Sequence, residues 1–294
     1  MDLVDASAIP EPLPAEWLDN PEAPGYFRKL SDAILGKSGE KCPWRTNYVD
    51  AYETKDGKWK VNPSIMYARH CYFADIVHLD AQLGRVKKAL EENGRLENTY
   101  IIFTADHGEL LADKGFIQKG ARHYDACIRV PLIVAGPGLR KGEKREEFVQ
   151  LEDIYPTVLD MTQTSLPVLP VMAGLKNEKL KDLAGSSLLP LCKEEAPREW
   201  RQEAYVESYN QTGVHHPGSW ARTIRNKKYR YTFYPEGNGE QLFDLEKDKN
   251  EEINLADKPE YQGIKNDLMR RLMELIIFQD YPMPRRDLFS FGVH

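Results

Sequence analysis

The chain has 294 residues, enough for one large domain or two ordinary ones, and 41% of them are hydrophobic and 29% charged. The formal net charge is -6 and the basic residues are scattered, which excludes the one-sided positive field that nucleic-acid binding needs. No apolar stretch approaches the roughly 20 residues of a membrane span, and the first residues have neither the charged nor the apolar region of a signal peptide.

The first part of the chain is predicted to contain an irregular segment followed by a long helix. Residues 1–62 are rich in Pro, Asp, Asn and Gly and show little periodicity, which is typical of an irregular segment on the surface. Asn93-Gly94 is a helix stop signal. The helix before it is predicted to lie on a core through an apolar stripe with helical spacing: Tyr72, Ile76, Leu79, Leu83, Val86 and Leu90.

Two apolar runs and a further helix then predict a layered α/β domain. Residues 100–104 and 130–135 are continuous apolar runs, as expected for fully covered parallel strands. Residues 149–162 are predicted to form a helix in which Pro156 either bends the helix or lies in its first turn. Helices that alternate with buried strands indicate an α/β domain, which we place at residues 1–195.

The character of the sequence changes near residue 196, and residues 196–294 are predicted to form a small α+β domain. Four short strand-like segments lie at 204–207, 220–225, 229–233 and 241–245. The Gly237-Asn238-Gly239 turn is predicted to join the last two as a hairpin. A closing amphipathic helix is indicated by Ile264, Leu268, Leu272 and Leu275. We therefore expect an antiparallel sheet of about four strands with a C-terminal helix on it.

The residues best suited to bind a ligand or to take part in a reaction follow the first apolar run. Asp106 and His107 come directly after this run. In open α/β sheets, ligands bind beyond the carboxyl ends of the strands. A carboxylate suits a divalent cation, and an imidazole can act as ligand, acid or base. Lys119, Arg122 and His123 follow, and cations beside a metal suit an anionic substrate.

The order of these motifs resembles that of sulfatases of the alkaline-phosphatase superfamily. The resemblance runs from about residue 64 to residue 279, and its strength comes from several ordered motifs rather than from any single one. The segments that carry it, besides the helix from Phe73 to Val86, are Ile102 to Glu109, Lys119-Gly120, Tyr124-Asp125, Arg129 to Leu132, Asp153 to Asp160, Gly185 to Leu191, Arg222 to Arg225, Lys228-Tyr229, Leu242 to Leu245 and Glu251 to Leu255.

The resemblance implies a fold and a site. The fold is an alkaline-phosphatase-like layered mixed or parallel sheet with helices on both faces, incomplete here, before the small α+β domain. Asp106 and His107 match the pair that helps to hold a divalent cation, most often Ca²⁺. Lys119 matches the lysine that contacts sulfate, and Arg122 and His123 are near enough in sequence to line the same pocket.

The resemblance also implies a substrate and a location. The substrate is a small-molecule or saccharide sulfate ester, and the compartment is periplasmic or extracellular. In this interpretation His215 and His216, from the small domain, border the cleft and contact the substrate.

The nucleophile of such enzymes is missing from this sequence. Formylglycine is made from a Cys-x-Pro/Ala-x-Arg motif, whereas Cys42-Pro43-Trp44-Arg45 has the wrong spacing and the other three cysteines lack the downstream Arg. We therefore expect formylglycine in an upstream part, which a separate chain could also encode, and an inactive chain without it. Two alternatives stay open: a phosphate or phosphonate ester hydrolase of the same superfamily, and a non-catalytic partner protein.

Overall fold

In the computed structural model of this chain, the described residues are 4–23, 27–28, 31–32, 37, 52–55, 58–116, 119, 122–164, 185–193, 199–208, 220–235 and 239–279. The helices are α1 (Pro63–Glu92), α2 (Asp125–Ile128), α3 (Ile154–Thr162), α4 (Leu189–Cys192) and α5 (Gln262–Gln279). The strands are β1 (Tyr52–Lys55), β2 (Lys58–Val61), β3 (Ile101–Thr104), β4 (Leu132–Ala135), β5 (Glu203–Ser208), β6 (Ala221–Asn226), β7 (Tyr229–Tyr234) and β8 (Gly239–Asp244). Among the helices in these ranges, none is both long enough and apolar enough to cross a bilayer.

Helix α1 begins and ends at residues that favour those positions. The side chain of Asn62 accepts a hydrogen bond from the Ser64 amide, and Pro63 occupies the first helical turn. Asn93 caps the other end, and Gly94 follows with a φ of 63°. Both the helix and its predicted stop at Asn93-Gly94 are therefore confirmed.

The predicted packing of α1 is wrong. Of its thirty residues, the buried ones are Ile65 and Arg69, both in the first two turns. Ile76 and Val86, which belong to the apolar stripe, are 50% and 56% exposed. The periodicity correctly predicts an apolar side of the helix, but no described part of the chain covers that side.

Strands β3 and β4 form a two-stranded antiparallel sheet, in which Ile101 pairs with Ala135 and Thr104 with Leu132. The expectation of parallel, fully covered strands is not met for this pair. Side chains along β4 alternate between half-buried and exposed, and Ile133 is 58% exposed. The apolar runs correctly located the strands, but composition alone does not specify strand direction.

Helix α3 starts at Ile154, after a 3₁₀ turn at Leu151–Asp153, so that Pro156 lies in its first turn. A proline there loses no helical hydrogen bond, which explains why the helix is not broken. One of the two predicted positions of Pro156 is thereby confirmed.

The four-stranded antiparallel sheet predicted for the C-terminal part is confirmed, with the strand order β5-β6-β7-β8. One row across it, Tyr205, Ile224, Tyr231 and Leu242, faces α5 and forms a buried cluster with Leu268 and Leu272. The next row, including Thr223, Thr232 and Gln241, belongs to the opposite face and is also fully buried. Since both faces are covered, this sheet lies in the middle of the packed part of the molecule.

The second face of this sheet packs on residues from the start of the chain. Trp17, Phe27 and Phe116 form a buried aromatic cluster, and the Phe27 ring lies 5.7 Å from that of Tyr234 in β7. The prediction of an irregular surface segment over residues 1–62 is therefore wrong at Trp17 and Phe27, and also at the β1–β2 hairpin. The division at residue 195 stays a prediction, although this core spans it.

Candidate functional site

The candidate site begins where β3 ends. Asp106 accepts a hydrogen bond at Oδ1 from the His107 amide, with a distance of 3.0 Å. Its side chain is 84% exposed, so its other oxygen is accessible from solvent. Asp106 therefore presents a carboxylate oxygen at the carboxyl end of the strand, as the sequence predicts.

His107 lies between Asp106 and Lys119. Its Nδ1 lies 2.8 Å from the carbonyl oxygen of Gly108, and since a carbonyl only accepts, Nδ1 donates. This leaves Nε2 with a lone pair in the neutral ring, and Lys119 Nζ donates to it over 2.6 Å. Oδ2 of Asp106 is 3.2 Å from the same Nε2. The structure thus brings Asp106, His107 and Lys119 together, whereas their roles stay predictions.

Gly108 fixes the site to helix α2. Its amide donates to the Cys127 carbonyl over 2.7 Å. A Cβ at this position would lie 2.0 Å from the carbonyl oxygen of Ala126, which is much closer than any van der Waals contact. A glycine is therefore required for the backbone to pass this close to α2, and this contact positions the histidine before it.

The loop after the site has an unusual backbone. Leu111, Ala112 and Lys114 all have φ angles in the left-handed region, at 46°, 71° and 57°. A left-handed backbone conformation costs about 1–2 kcal/mol of free energy for each residue other than glycine. Contacts with neighbouring residues must therefore hold the loop in place.

Residues distant in sequence make those contacts. The Lys114 amide donates to the Leu13 carbonyl over 2.9 Å, and the Trp17 indole donates to the Lys114 carbonyl over 3.0 Å. Arg69, at the base of α1, donates to the Leu111 carbonyl and to the Asp113 carboxylate over 2.7 and 3.1 Å. The N-terminal segment and α1 together determine the course of the chain between His107 and Lys119.

Arg122 contacts Lys119 and the ring of Phe116. Its Nη1 donates to the Lys119 carbonyl over 3.3 Å, and its guanidinium lies 4.1 Å above the Phe116 ring. It is half-buried, and its role as a substrate ligand stays a prediction. His215 and His216 lie outside the described residues.

His123 is 1% exposed and does not join the Asp106 group. Its two ring nitrogens lie 2.8 Å from the Thr223 hydroxyl and 2.7 Å from the Ser208 hydroxyl. Burial, together with the charges of Arg230 and Arg222, lowers the pKa of His123 to about 3, so the ring is neutral. A role as a substrate ligand stays a prediction, while the structure shows a histidine that connects the α2 region to strands β5 and β6.

A buried ionic cluster, which the sequence did not predict, lies beside His123. Arg230 pairs with Glu251, whose second carboxylate oxygen accepts from the Asp125 amide over 2.8 Å. Lys114 Nζ donates to the Glu251 carbonyl over 2.7 Å and lies 3.5 Å from a carboxylate oxygen of Glu16. Burial raises the pKa of Glu16. Asp125 and Glu251 lie in segments that carry the sulfatase resemblance, but nothing in the sequence indicates that these distant residues meet.

Asp153, in the segment that resembles the sulfatase Asp-x-x-Pro-Thr motif, is completely buried. Arg201 binds it through two hydrogen bonds of 2.9 and 2.6 Å, and the Ser186 amide donates to it over 2.8 Å. The Thr157 hydroxyl oxygen accepts a hydrogen bond from the Leu188 amide over 2.8 Å. This segment therefore joins α3 to the chain on either side of α4, which is a structural role.

The donor set fits part of a divalent-cation site. Asp106 and His107 provide two neighbouring ligand atoms, whereas Ca²⁺ takes about six to eight oxygens. Within the ranges described, no group of three or more His, Cys, Asp or Glu side chains is placed to hold a metal. A cation here would need further ligands beyond these two side chains.

Two family profiles match the chain. The profile described as "Sulfatase" matches residues 38–164, and that described as "N-sulphoglucosamine sulphohydrolase, C-terminal" matches residues 112–277. An arylsulfatase of Clostridium perfringens is 34% identical over 211 residues, which are 70% of this chain and 39% of that protein. The chain thus spans about two fifths of the length of this relative.

Solved structures are similar as well. One, in complex with its substrate D-glucosamine-2-N,6-O-disulfate, has a TM-score of 0.60 and 29% identity, covering 71% of this chain and 40% of the other. A phosphonate monoester hydrolase of Agrobacterium radiobacter has a TM-score of 0.64 and 26% identity, covering 76% and 44%. The two profiles together span the Asp106 region and the four-stranded sheet, and the solved structures confirm the predicted alkaline-phosphatase-like fold. The chain belongs to the sulfatase family.

Proposed function

We propose that this chain provides the C-terminal part of the active site of a sulfuric ester hydrolase. The observation that carries the proposal is the convergence of Asp106, His107 and Lys119 after β3. Asp106 and His107 would hold a divalent cation, most often Ca²⁺ in such enzymes, and Lys119 would bind an oxygen of the sulfate. A bound cation would supply stabilisation of the negative charge on the transferring group.

Lys119 is suited to bind an anion because its ammonium group is exposed and close to the acceptor Nε2 of His107. An ammonium carries three donors, so Lys119 can donate to a sulfate oxygen when a cation takes the single lone pair of His107 Nε2. Hydrogen bonds between charged partners are stronger than neutral ones, which favours an anionic group at this place. The residues of this chain would therefore bind and orient the ester.

The bond-breaking step needs a nucleophile that these residues do not provide. Cys42-Pro43-Trp44-Arg45 lacks the Cys-x-Pro/Ala-x-Arg spacing, and the other cysteines lack the arginine. We infer that formylglycine comes from an upstream part of the sulfatase domain, in the same or a separate chain. The 294 residues alone would then bind anions without hydrolysing them.

The substrate class is proposed to be a sulfate ester of a saccharide or a small molecule. The structure with D-glucosamine-2-N,6-O-disulfate and a relative named as a Δ4,5-hexuronate-2-O-sulfatase from Bacteroides thetaiotaomicron support a saccharide. A second candidate is a phosphonate or phosphate ester, because the Agrobacterium radiobacter hydrolase has a similar structure. Sulfate is favoured by both family profiles.

Calorimetric titration of the full chain with sulfate, in the presence of Ca²⁺, tests the proposal. We expect measurable sulfate binding that Lys119→Met weakens several-fold and Lys88→Met, on an exposed face of α1, leaves unchanged. Tighter binding of methylphosphonate than of sulfate would favour the second candidate. Identical titrations for wild type and Lys119→Met would refute the assigned role of Lys119, and turnover of an aryl sulfate by the wild-type chain would refute the need for an upstream part.

A further inference from the structure

Lys114 is a buried lysine in the loop between His107 and Lys119. It is 1% exposed, and its φ angle of 57° lies in the left-handed region. Lysine is rarely buried, because moving an ammonium group out of water costs free energy unless the charge is paired. A left-handed backbone is unfavourable for lysine as well. Two unfavourable features in one residue of this loop indicate that its side chain has a specific task there.

The ammonium group of Lys114 connects the loop to two distant parts of the chain. Its Nζ donates to the Glu251 carbonyl over 2.7 Å, lies 3.5 Å from Oε2 of Glu16, and lies 5.7 Å from the centre of the Tyr124 ring. Burial raises the pKa of the Glu16 carboxyl, and Lys114 is the neighbouring charge that opposes this rise most strongly. The buried ammonium is therefore the main counter-charge of Glu16 and a donor to the segment after β8.

The backbone of Lys114 is fixed at the same place. Its amide donates to the Leu13 carbonyl, and its carbonyl accepts from the Trp17 indole. The residue is thus held at its amide, its carbonyl and its ammonium group. The exposed side chain of Lys119 follows in the same loop and reaches Nε2 of His107. The position of Lys119 therefore depends on the course of the backbone that Lys114 fixes.

We propose that Lys114 is a positioning residue, whose buried ammonium group holds the loop in the shape that places Lys119 beside His107. The group does not touch the ester itself, since it is enclosed by buried acceptors and the Tyr124 ring. The inference deepens the proposed function and rests on it where sulfate is concerned. The contact between Lys119 and His107 can be measured without any ligand.

The first measurement is the ¹⁵N chemical shift of His107 Nε2, in the full chain with labelled histidine and in alkaline buffer. A ring nitrogen that accepts a hydrogen bond differs in shift from a free one, and Lys119→Met provides the value for the free nitrogen. We expect Lys114→Gly to move to that value and Ala112→Gly to keep the wild-type value. Ala112→Gly is the matched control, because Ala112 also has a left-handed φ, of 71°, but carries no charge. Both glycines relieve the backbone, so the ammonium group makes the difference.

A second variant avoids an unpaired buried charge, since Lys114→Gly leaves Glu16 without its main counter-charge. Lys114→Met combined with Glu16→Gln removes both charges and conserves the volume of both side chains. This double variant should unfold cooperatively and show the same Nε2 shift as Lys119→Met. In the sulfate titration it should lose affinity by up to about fivefold. It should lose nothing further when Lys119→Met is added, because Lys114 acts through Lys119.

Four results would overturn the positioning role. One is a wild-type Nε2 shift in both Lys114 variants, and another is the same shift in wild type and Lys119→Met, since the two side chains would then not meet. Unfolding of both Lys114 variants, or an equal further loss of sulfate affinity in the Lys119→Met background, would make Lys114 a residue of the fold as a whole. Absence of sulfate binding in wild type would refute the proposed function instead, and the ligand-free shifts would still test this inference.

Discussion

The ammonium group of Lys119 lies 2.6 Å from Nε2 of His107, and Oδ2 of Asp106 lies 3.2 Å from the same nitrogen. A lysine thus occupies the position next to the two atoms that we propose as cation ligands. Its positive charge opposes cation binding at these atoms, while it favours the binding of an anion.

Substitution of Lys119 should therefore have opposite effects on the two kinds of ligand. We expect Lys119→Met to raise the affinity for Ca²⁺ a few-fold, since an exposed charge contact is worth up to about 1 kcal/mol. Asp106→Asn should lower the same affinity, because it removes a carboxylate ligand. Calorimetric titration with CaCl₂ measures both. A lower Ca²⁺ affinity in Lys119→Met would contradict the assignment of neighbouring cation and anion positions.

The buried His123 should make stability depend on pH. The folded protein holds the pKa of His123 at about 3, against an ordinary value of 6.5, so the unfolded chain takes up the proton first as pH falls. Stability should decrease from pH 6.5 downwards, by up to about 1.4 kcal/mol per pH unit from this group. Urea unfolding at pH 7, 6 and 5 should show a smaller loss in His123→Gln than in wild type.

The exposed His78 provides the control for this experiment. His78→Gln should keep the pH dependence of the wild type, because this side chain lies on the exposed surface of α1. If the stability of His123→Gln falls with pH as steeply as that of wild type, the histidine does not carry this proton linkage.

The pair of Arg230 and Glu251 should show strong coupling. Glu251→Gln leaves a buried guanidinium without its counter-charge, and we expect a loss of about 3–5 kcal/mol in the free energy of unfolding. Arg230→Met combined with Glu251→Gln should lose less than the sum of the single substitutions. Urea unfolding of the four proteins measures this coupling. The exposed Lys228 and Glu246 serve as the control, since Lys228→Ala should leave the unfolding midpoint unchanged.

Two glycines offer a matched comparison. Gly108→Ala should destabilise the protein by about 1–3 kcal/mol, because the new Cβ would meet the Ala126 carbonyl at 2.0 Å. Gly84→Ala, in α1 with nothing within 4 Å of the new atom, should instead stabilise it by about 0.5–1 kcal/mol. Thermal unfolding distinguishes the two signs. A stable Gly108→Ala variant would disprove the close contact with α2.

Local patterns predicted local structure well in this chain. The short strand-like segments at 204–207, 220–225, 229–233 and 241–245 predicted four antiparallel strands, and the spacing of Ile264 and Leu268 predicted helix α5. The predicted turn at Gly237-Asn238-Gly239 lies partly outside the described residues. These elements depend on contacts between neighbouring segments, which leave a periodic trace in the sequence. Asp106 and His107 were found in the same way, as polar residues directly after an apolar strand.

Long-range contacts were not predictable by these means. Trp17 and Phe27 come from a segment without periodicity, and the sequence gives no sign that Tyr234 packs against Phe27. The burial of His123 depends on Thr223 and Ser208, which follow it by 100 and 85 residues. The stripe on α1 has the pattern of a buried face, and periodicity alone does not reveal whether the covering structure is present.

The left-handed residues Leu111, Ala112 and Lys114 have a consequence for anyone who would transplant this site into another scaffold. A peptide copied from residues 106–119 would relax out of this shape, because its own preferences oppose it. Leu13, Trp17 and Arg69 would have to be moved with it, in the same spatial arrangement. The smallest portable unit is therefore an assembly of three separate segments.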